Sequence, residues 1–292
     1  MIDLQNVVLV TVDNDPEARL INLLAKAAGI CVIQSDQPHG GTLDEEPDIL
    51  ERIRKTDRNE IWTMELPGPA IERQLRGLGY TVRIIDHHVY HRDLDRAHDP
   101  QTGKRLRSSL EQFLAWTAIT DSEMNSWGFI PKLVIGIGIF DDRFEQGLKK
   151  ASYTQAEIDE VLAYDAILGR QVFPRFDEIQ VEAQRAWNAR TQVHGHNVFK
   201  AYLDVSVSRA ISLISIKYGA QSVSSVTSDR NGRQIFVNNI SYATVQLLEQ
   251  AFTNRHTFTY GSGRCFGIDN DKCGLPSVTL DEVLAVLIPS AN

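Results

Sequence analysis

The sequence predicts an α/β protein with a mainly parallel sheet and flanking helices in its N-terminal domain, followed by a smaller α+β domain. Short apolar runs rich in β-branched residues alternate with helical patterns over residues 7–85, which is typical of βαβ units. Beyond residue 196 the strand-like runs follow one another more closely. Asn231-Gly232 between two of them is a strong hairpin signal.

The N-terminal elements follow from local patterns of apolar and capping residues. The predicted strands are 7–12, 30–33, 60–64 and 80–85. The predicted helices are 18–27, 47–55, 67–78, a segment from 108 or 109 to 119, and 154–168. Thr154 and Glu157 form a capping box at the start of the last helix. The apolar run 133–140 ends in an acid pair, and we interpret it as one more strand end.

The C-terminal part combines hairpin-connected strands with helices. The predicted strands are 198–205, 222–227 and 234–238, and the predicted helices are 206–218, 241–252 and 280–287. We therefore divide the chain into residues 1–170, a helical linker at 171–195, and a second domain at 196–292.

The composition is that of a soluble globular protein: 42% of the 292 residues are hydrophobic and 23% are charged. No apolar run approaches the roughly 20 residues of a membrane span, and the first residues do not resemble a signal peptide. Three cysteines without a CxxC pair predict a reducing, cytoplasmic location rather than a disulfide framework. A net charge of −8 disfavours non-specific binding of DNA.

Two acidic segments follow strand-like runs. Asp13 and Asp15 stand one residue apart, and their repulsion must be relieved by water, donors or a cation; hard carboxylate oxygens suit Mn²⁺ or Mg²⁺. The alternative is a turn in which Asp15, followed by Pro16, caps the next helix. Glu65 also follows a strand, although an acid near a helix start is ordinary compensation of the helix dipole.

The segment Asp86-His87-His88 ends the strand predicted at 80–85, where a parallel sheet presents groups to a ligand. Imidazole is a common metal ligand, and a neighbouring carboxylate can fix its tautomer. Asp141 and Asp142 form one more acid pair after an apolar run.

A glycine-rich loop lies near the C-terminal end of the chain. It contains Gly261, Ser262, Gly263 and Arg264, so backbone N–H groups and a guanidinium can approach an anion together. By itself such a loop is more often a tight turn.

We expect acids and an imidazole from four strand ends to converge on a cation.

In this order the motifs at Asp13, Glu65, Asp86, Gly138 and Gly261 resemble those of the DHH phosphoesterase superfamily. That superfamily includes dinucleotide phosphodiesterases, single-strand exonucleases and manganese-dependent inorganic pyrophosphatases. The resemblance covers nearly the whole chain. It implies a DHH domain followed by a DHHA1-like substrate-binding domain, with the active site in the cleft between them.

The resemblance also implies residue roles at a site for one or two Mn²⁺ ions, with Mg²⁺ as the alternative ion. The metal ligands that it implies are Asp13 for one ion, Asp15 for the other, Glu65 as the bridge, and His87 with Asp142 or Asp141 on the second ion. Asp86 would orient its neighbour, and His88 would face the phosphate. Arg264, backed by Gly261, Ser262 and Gly263, would grip the substrate.

Three positions depart from the family pattern. Thr11 stands where the family usually has a histidine, Glu65 stands where it usually has an aspartate, and Arg264 stands where a histidine is typical. The ion at Asp13 therefore loses an imidazole ligand. His91 or His98 could replace it.

The resulting prediction is a metal-dependent hydrolase that cleaves a phosphodiester or phosphoanhydride in short oligonucleotides or dinucleotides. The alternative is a catalytically weakened member that binds a nucleotide or phosphorylated ligand as a sensor or partner protein. We expect a small phosphorylated or short nucleic-acid substrate and no membrane association. The sequence leaves a homodimer open.

Overall fold

The computed structural model describes residues 2–37, 41–87, 108–217, 224–260, 264–272 and 277–288. The chain forms two compact units, Met1–Pro174 and Arg175–Asn292. None of the helices within the described ranges has the length and apolar content that a bilayer crossing needs.

The first unit contains a four-stranded sheet in which every pair of neighbouring strands is parallel, as the sequence predicts. Its strands are β1 (Val7–Thr11), β2 (Cys31–Gln34), β3 (Glu60–Met64) and β4 (Thr81–Ile85), in the spatial order β2-β1-β3-β4. All five residues of β1 are buried, which fits a central strand covered on both faces.

The helices of the first unit lie between and after these strands along the chain. They are α1 (Pro16–Ala27), α2 (Ile49–Arg54), α3 (Pro69–Gly77), α4 (Ser109–Thr117), α5 (Asp121–Ser126), α6 (Pro131–Lys150) and α7 (Gln155–Val172). Thr154 caps α7 through the predicted capping box with Glu157.

Aromatic packing fixes α4 against the sheet. Trp62 of β3 is fully buried, and its ring meets Phe113 edge to face with the ring centroids 6.3 Å apart. Trp116, one turn further along α4, meets the same indole at 5.7 Å. Edge-to-face pairs of this kind add about 0.5–1.5 kcal/mol beyond the area they bury, so the second half of α4 is held beside β3.

The interpretation of residues 133–140 as a strand end is wrong, because this run lies inside the 20-residue helix α6. A continuously apolar run cannot be distinguished from a buried helix by its periodicity. Pro131 at the first helical position was the signal for a helix. Asp141 and Asp142 are therefore helical residues, one turn before a kink at Phe144, where φ is 51°.

The second unit contains a six-stranded sheet in the order β5-β6-β7-β8-β10-β9, in which only β6 and β7 are parallel among the described pairs. Its elements are α8 (Phe176–Asn188), β5 (Thr191–Val193), β6 (His196–Lys200), α9 (Ser208–Lys217), β7 (Ser225–Ser228), β8 (Gln234–Asn238), α10 (Tyr242–Ala251), β9 (Thr257–Tyr260), β10 (Cys265–Asp269) and α11 (Leu280–Val286). This mixture confirms the predicted α+β class.

Two local predictions in this unit have different outcomes. The hairpin at Asn231-Gly232 is present, with β7 antiparallel to β8 and Gly232 at a φ of 66°. The strand predicted over 198–205 ends at Lys200 instead. The backbone N–H groups of Tyr202 and Leu203 donate to the Glu182 carboxylate rather than to a neighbouring strand, which turns the chain away from the sheet.

Candidate metal centre

The parallel register brings three strand ends of the first unit to one edge of the sheet. Thr11 is paired with Met64, and Met64 is paired with Ile85, so β1, β3 and β4 end side by side. The segments that follow these strands carry the predicted site residues. Carboxyl ends of parallel strands are where such sheets place their ligand-binding groups.

His87, two residues beyond β4, lies among carboxylates. Its Nε2 is 3.5 Å from Oε1 of Glu65 and 3.4 Å from Oδ2 of Asp141. The three side chains are 9%, 6% and 17% exposed, so the imidazole nitrogen meets the acids largely out of contact with bulk water. Of the acid pair on α6, the structure therefore brings Asp141 to the imidazole.

Glu17 completes this group, although it is not among the residues predicted from the sequence. It lies in the first turn of α1 and is 1% exposed. Ligand atoms of Glu17, His87 and Asp141 all lie within 4.8 Å of one another. We call these three residues, together with Glu65, the acid–imidazole cluster.

The first turn of α4 positions two members of the cluster and the residue that precedes a third. The Ser109 hydroxyl donates to Oε1 of Glu65 at 2.7 Å, and the Leu110 N–H donates to Oε1 of Glu17 at 3.0 Å. Gln112 binds the backbone of Asp86, accepting from its N–H at 3.2 Å and donating to its carbonyl at 2.9 Å. Since Asp86 precedes His87, these two hydrogen bonds fix the backbone next to the residue that carries the imidazole.

Burial and the charges of the cluster both act on the pKa of Glu17. Burial raises the pKa of its carboxyl well above the ordinary value, and the neighbouring charges of Asp141, Glu65 and Asp15 raise it further. The hydrogen bond from the Leu110 N–H opposes the shift but is outweighed. A cation among these acids would reverse the balance, because it favours the ionised carboxylate.

Glu65 stores backbone strain at the same place. Its φ is 50°, in the left-handed region that non-glycine residues rarely adopt. Its N–H donates to the Ile85 carbonyl at 2.9 Å, so the strained residue stays tied to β4. A left-handed conformation at a long acidic side chain costs of order 1 kcal/mol, and such costs concentrate at functional sites.

The donor set fits a divalent cation. Oε2 of Glu17 is buried and accepts no hydrogen bond from any residue that the structure describes. Two oxygens or nitrogens bound to one ion at about 2.1 Å are roughly 3 to 4 Å apart, which is close to the spacing of the cluster. Carboxylates with one imidazole suit Mn²⁺, Mg²⁺ or Zn²⁺. The cluster therefore has both the chemistry and the spacing of a metal centre.

The other predicted metal ligands are engaged elsewhere. Oδ1 of Asp15 accepts from the Ala18 N–H at 2.8 Å, which is the helix cap left open as the alternative. Oδ2 of Asp142 pairs with Nε of Arg143 at 2.9 Å. Capping or pairing uses part of each carboxylate, so their roles as ligands stay predictions.

Asp13 and Thr11 occupy the end of β1. Oδ2 of Asp13 forms an ion pair with Nη1 of Arg19 at 2.9 Å. The fully buried Thr11 hydroxyl donates to the Val12 carbonyl at 2.9 Å and meets the Met64 sulfur at 3.8 Å.

The predicted substrate-binding residues belong mostly to segments outside the described residues. His88, Gly261, Ser262 and Gly263 lie there, as do His91 and His98. Arg264 is described in the second unit, where it is exposed and its Nε donates to the Ile240 carbonyl at 3.3 Å.

Gly138 of α6 keeps space for the cluster, and we expect Gly138→Ala to be destabilising. A Cβ there would lie 2.6 Å from Oγ of Ser108, 3.2 Å from Cβ of Leu110 and 3.3 Å from Oε1 of Glu17. Ser108 caps α4, so the helix start must shift, at a cost of roughly 1–3 kcal/mol.

The matched control for this substitution is Gly77→Ala in α3, where an added Cβ meets nothing within 4 Å. Alanine there is expected to be neutral or to stabilise by up to about 1 kcal/mol. Urea unfolding of both variants without added metal checks the pair. Equal stabilities would contradict the close contact between α4 and α6.

Comparison with known proteins identifies the fold but not a close relative. No protein-family model matches the sequence, and no curated protein matches it. The structure is similar to the DHH domain of a member of the s1p family of ribosomal proteins, with a TM-score of 0.53 and 14% identity. That match covers 97% of this chain and 86% of the other.

Two further solved structures are similar at a lower level. RecJ from Thermus thermophilus, in complex with Mn²⁺, has a TM-score of 0.46 and 12% identity, and the match covers 96% of this chain and 51% of RecJ. The pGpG-specific phosphodiesterase PggH from Vibrio cholerae has a TM-score of 0.36 and 11% identity, with 97% of each chain covered. The likeness of fold rests on the first of the three structures.

Proposed function

Because the chain has the fold of the DHH phosphoesterase superfamily, we propose that it is a hydrolase that cleaves a phosphodiester or phosphoanhydride with a bound divalent cation. The observation that supports this most directly is the convergence of Glu17, His87 and Asp141 at one edge of the parallel sheet. Three potential ligands from three separate elements, with a buried acid among them, are poorly explained as core packing.

In this proposal each residue of the cluster has a distinct task. Glu17, His87 and Asp141 would hold the ion, which when bound would supply Lewis acidity for the hydrolysis. Glu65, fixed by the Ser109 hydroxyl, lies 3.5 Å from Nε2 of the imidazole and adds negative charge at that nitrogen. Asp86, held by Gln112, positions the imidazole.

We propose Mn²⁺ as the ion, with Mg²⁺ as the alternative. Short oligonucleotides or dinucleotides are the proposed substrates, because the glycine-rich segment and a separate C-terminal domain resemble the family members that act on them. His88, Arg264 and the glycine-rich segment are proposed to bind the phosphate. A homodimer and a cytoplasmic location stay predictions.

The direct test is hydrolysis of a panel of short oligonucleotides, cyclic and linear dinucleotides and pyrophosphate, with Mn²⁺ or Mg²⁺ in the buffer. We expect turnover of at least one substrate by the native protein, and at least about a hundredfold lower turnover by His87→Ala, because removal of a metal ligand exceeds the loss seen for outer partners. Equal rates for the two proteins on every substrate would refute the proposal.

A second candidate is a catalytically weakened protein that binds a nucleotide without hydrolysing it. The observation that favours it is at Asp13, whose carboxylate is paired with Arg19. The buried Thr11 hydroxyl beside it is also occupied. Thermal-shift titration separates the candidates: stabilisation by a nucleotide in chelated buffer, with no product formed after metal is restored, supports the binder.

A further inference from the structure

Arg19 forms an ion pair with Asp13, the acid two residues after the end of β1. Its Nη1 lies 2.9 Å from Oδ2 of Asp13, and its Nε donates to Oε1 of Gln171 in α7 at 2.9 Å. The guanidinium is thus held on two sides, and its side chain is only 26% exposed. A paired and anchored arginine of this kind keeps one geometry, unlike a surface lysine with a free stem.

The local charges show what the guanidinium does. Asp13, Asp15 and Glu17 lie within five residues of chain, so three carboxyl groups are concentrated after β1. Arg19 is the basic side chain that contacts Asp13 among the described residues. A positive charge at this position therefore offsets part of the repulsion between these carboxylates.

A divalent ion at Asp13 would have to bind the carboxylate whose Oδ2 already pairs with Arg19; the other oxygen, Oδ1, is buried and accepts no hydrogen bond among the described residues. Two cations on one carboxylate repel each other strongly in a half-buried site. The neighbouring Thr11 adds no compensating ligand, because its hydroxyl is buried and donates to the Val12 carbonyl. At the acid–imidazole cluster, by contrast, His87 lies beside the carboxylates of Glu65 and Asp141, and this concentration of negative charge attracts a cation.

We propose that the chain binds one divalent ion, at Glu17, His87 and Asp141, and that Arg19 supplies a fixed positive charge at Asp13 in place of a second ion. This inference rests on the proposed function, because it takes the cluster to be the metal centre. The guanidinium is part of the chain, so this charge does not depend on the supply of metal.

The inference predicts a stoichiometry that can be measured without any substrate. The protein is loaded with Mn²⁺, passed through a desalting column and analysed for metal and protein, and the same binding is followed by calorimetry. We expect about one ion per chain for the native protein and none for Glu17→Gln. Arg19→Gln is expected to bind a second, weaker ion at Asp13, so that titration approaches two ions per chain.

Two variants serve as controls. Arg19→Lys keeps a cation beside Asp13 and is expected to stay at one ion. Lys26→Gln removes the same charge from an exposed position near the end of α1, and it is also expected to stay at one ion. A second ion in Lys26→Gln would show that net charge alone controls the number of ions, and it would overturn the assignment to Arg19.

The outcomes separate this inference from the proposed function. Two ions in the native protein, or one ion in both native protein and Arg19→Gln, overturn the role of Arg19 whether or not a substrate is cleaved. One ion in the native protein and two in Arg19→Gln support that role even if no substrate in the panel is hydrolysed. No bound ion in the native protein overturns both, because the cluster is then not a metal centre.

Discussion

Replacing Glu17 by glutamine is expected to abolish the increase in melting temperature that Mn²⁺ produces in the native protein. The substitution keeps the shape of the side chain and the acceptor for the Leu110 N–H, but it removes one anionic ligand of the acid–imidazole cluster. Loss of an outer partner of a metal ligand typically weakens binding 10–100-fold. Loss of a ligand itself should exceed about a hundredfold.

The same variant is expected to be more stable than the native protein in chelated buffer at neutral pH. The pKa of Glu17 is raised in the folded chain, so the folded state holds this proton more tightly than the unfolded chain does. Native stability therefore falls as the pH rises from the unfolded value, roughly 4.3, through the raised folded value. Glutamine has no proton to lose. The difference in stability between the variant and the native protein therefore grows as the pH rises and disappears near pH 4.

Thermal unfolding in EDTA between pH 4 and pH 8 measures this difference in stability. We expect Glu17→Gln to melt at least about 2–4 °C above the native protein at pH 7–8, the shift that roughly 1 kcal/mol produces in a domain of this size. Glu51→Gln is the control, because this exposed carboxylate pairs with Lys55, which lowers its pKa. It should not gain stability with pH, and it should keep the response to Mn²⁺.

A Glu17→Gln protein that is no more stable than the native one at pH 8 would mean that the pKa of the buried carboxyl is not raised in the folded chain, as it would be if an unseen cation were paired with it. If it also kept the response to Mn²⁺, Glu17 would not be a ligand. The combination of higher stability and lost metal response is hard to obtain in any other way than by removing a buried acid that a cation needs.

The parallel sheet could be predicted because each strand is a short apolar run closed by a local signal. The run at 60–64 is bounded by Asn59 before it and by Glu65 and Pro67 after it, and the observed strand has the predicted bounds. Helix α6 could not be recognised from periodicity, since every residue from Val134 to Phe140 is apolar or glycine, and all of them except Ile135 are buried. In such a run the hydrophobic pattern carries no period.

Glu17 was missed because an acid in the first helical turn is usually read as compensation of the helix dipole. The signal that could have revealed it is its phase: Glu17 stands three and four residues before Leu20 and Ile21, and seven before Leu24, all of them buried. An acid in register with the apolar stripe of a helix must be buried with it. The tertiary contacts with α4 and α6 that make this burial tolerable cannot be read from local sequence.

The contact between Arg19 and Asp13 depends on the turn that joins β1 to α1, and its second anchor, Gln171, is 152 residues away. Pattern analysis finds pairs at helical or strand spacing, and this pair has neither. The ends of β1, β3 and β4 lie side by side, but the fourth predicted strand end is part of α6, and the groups that meet there are decided by packing between helices distant in sequence.

The adjacent acids of α6 give the sharpest test of the site, because Asp141→Asn and Asp142→Asn make the same chemical change one residue apart. We expect Asp141→Asn to weaken Mn²⁺ binding by more than about a hundredfold and to remove hydrolysis, since its carboxylate lies 3.4 Å from Nε2 of His87 within the cluster. Asp142→Asn removes an ion pair with Arg143, a change typically worth up to about 1 kcal/mol for partly exposed groups.

Calorimetric titration with Mn²⁺ and the rate on the best substrate of the panel measure both variants, and thermal unfolding in EDTA shows whether each is folded. Arg143 keeps its second partner, Glu111, at 3.3 Å, so Asp142→Asn should keep near-native binding and rate. If Asp142→Asn lost the metal instead, the two acids would have exchanged roles on ion binding. The helix would then have to rotate by about 100° at this position, since successive residues of an α-helix point that far apart. Such a rotation would carry Asp141 away from His87, so a metal centre built on Glu17, His87 and Asp141 requires the first acid of the pair.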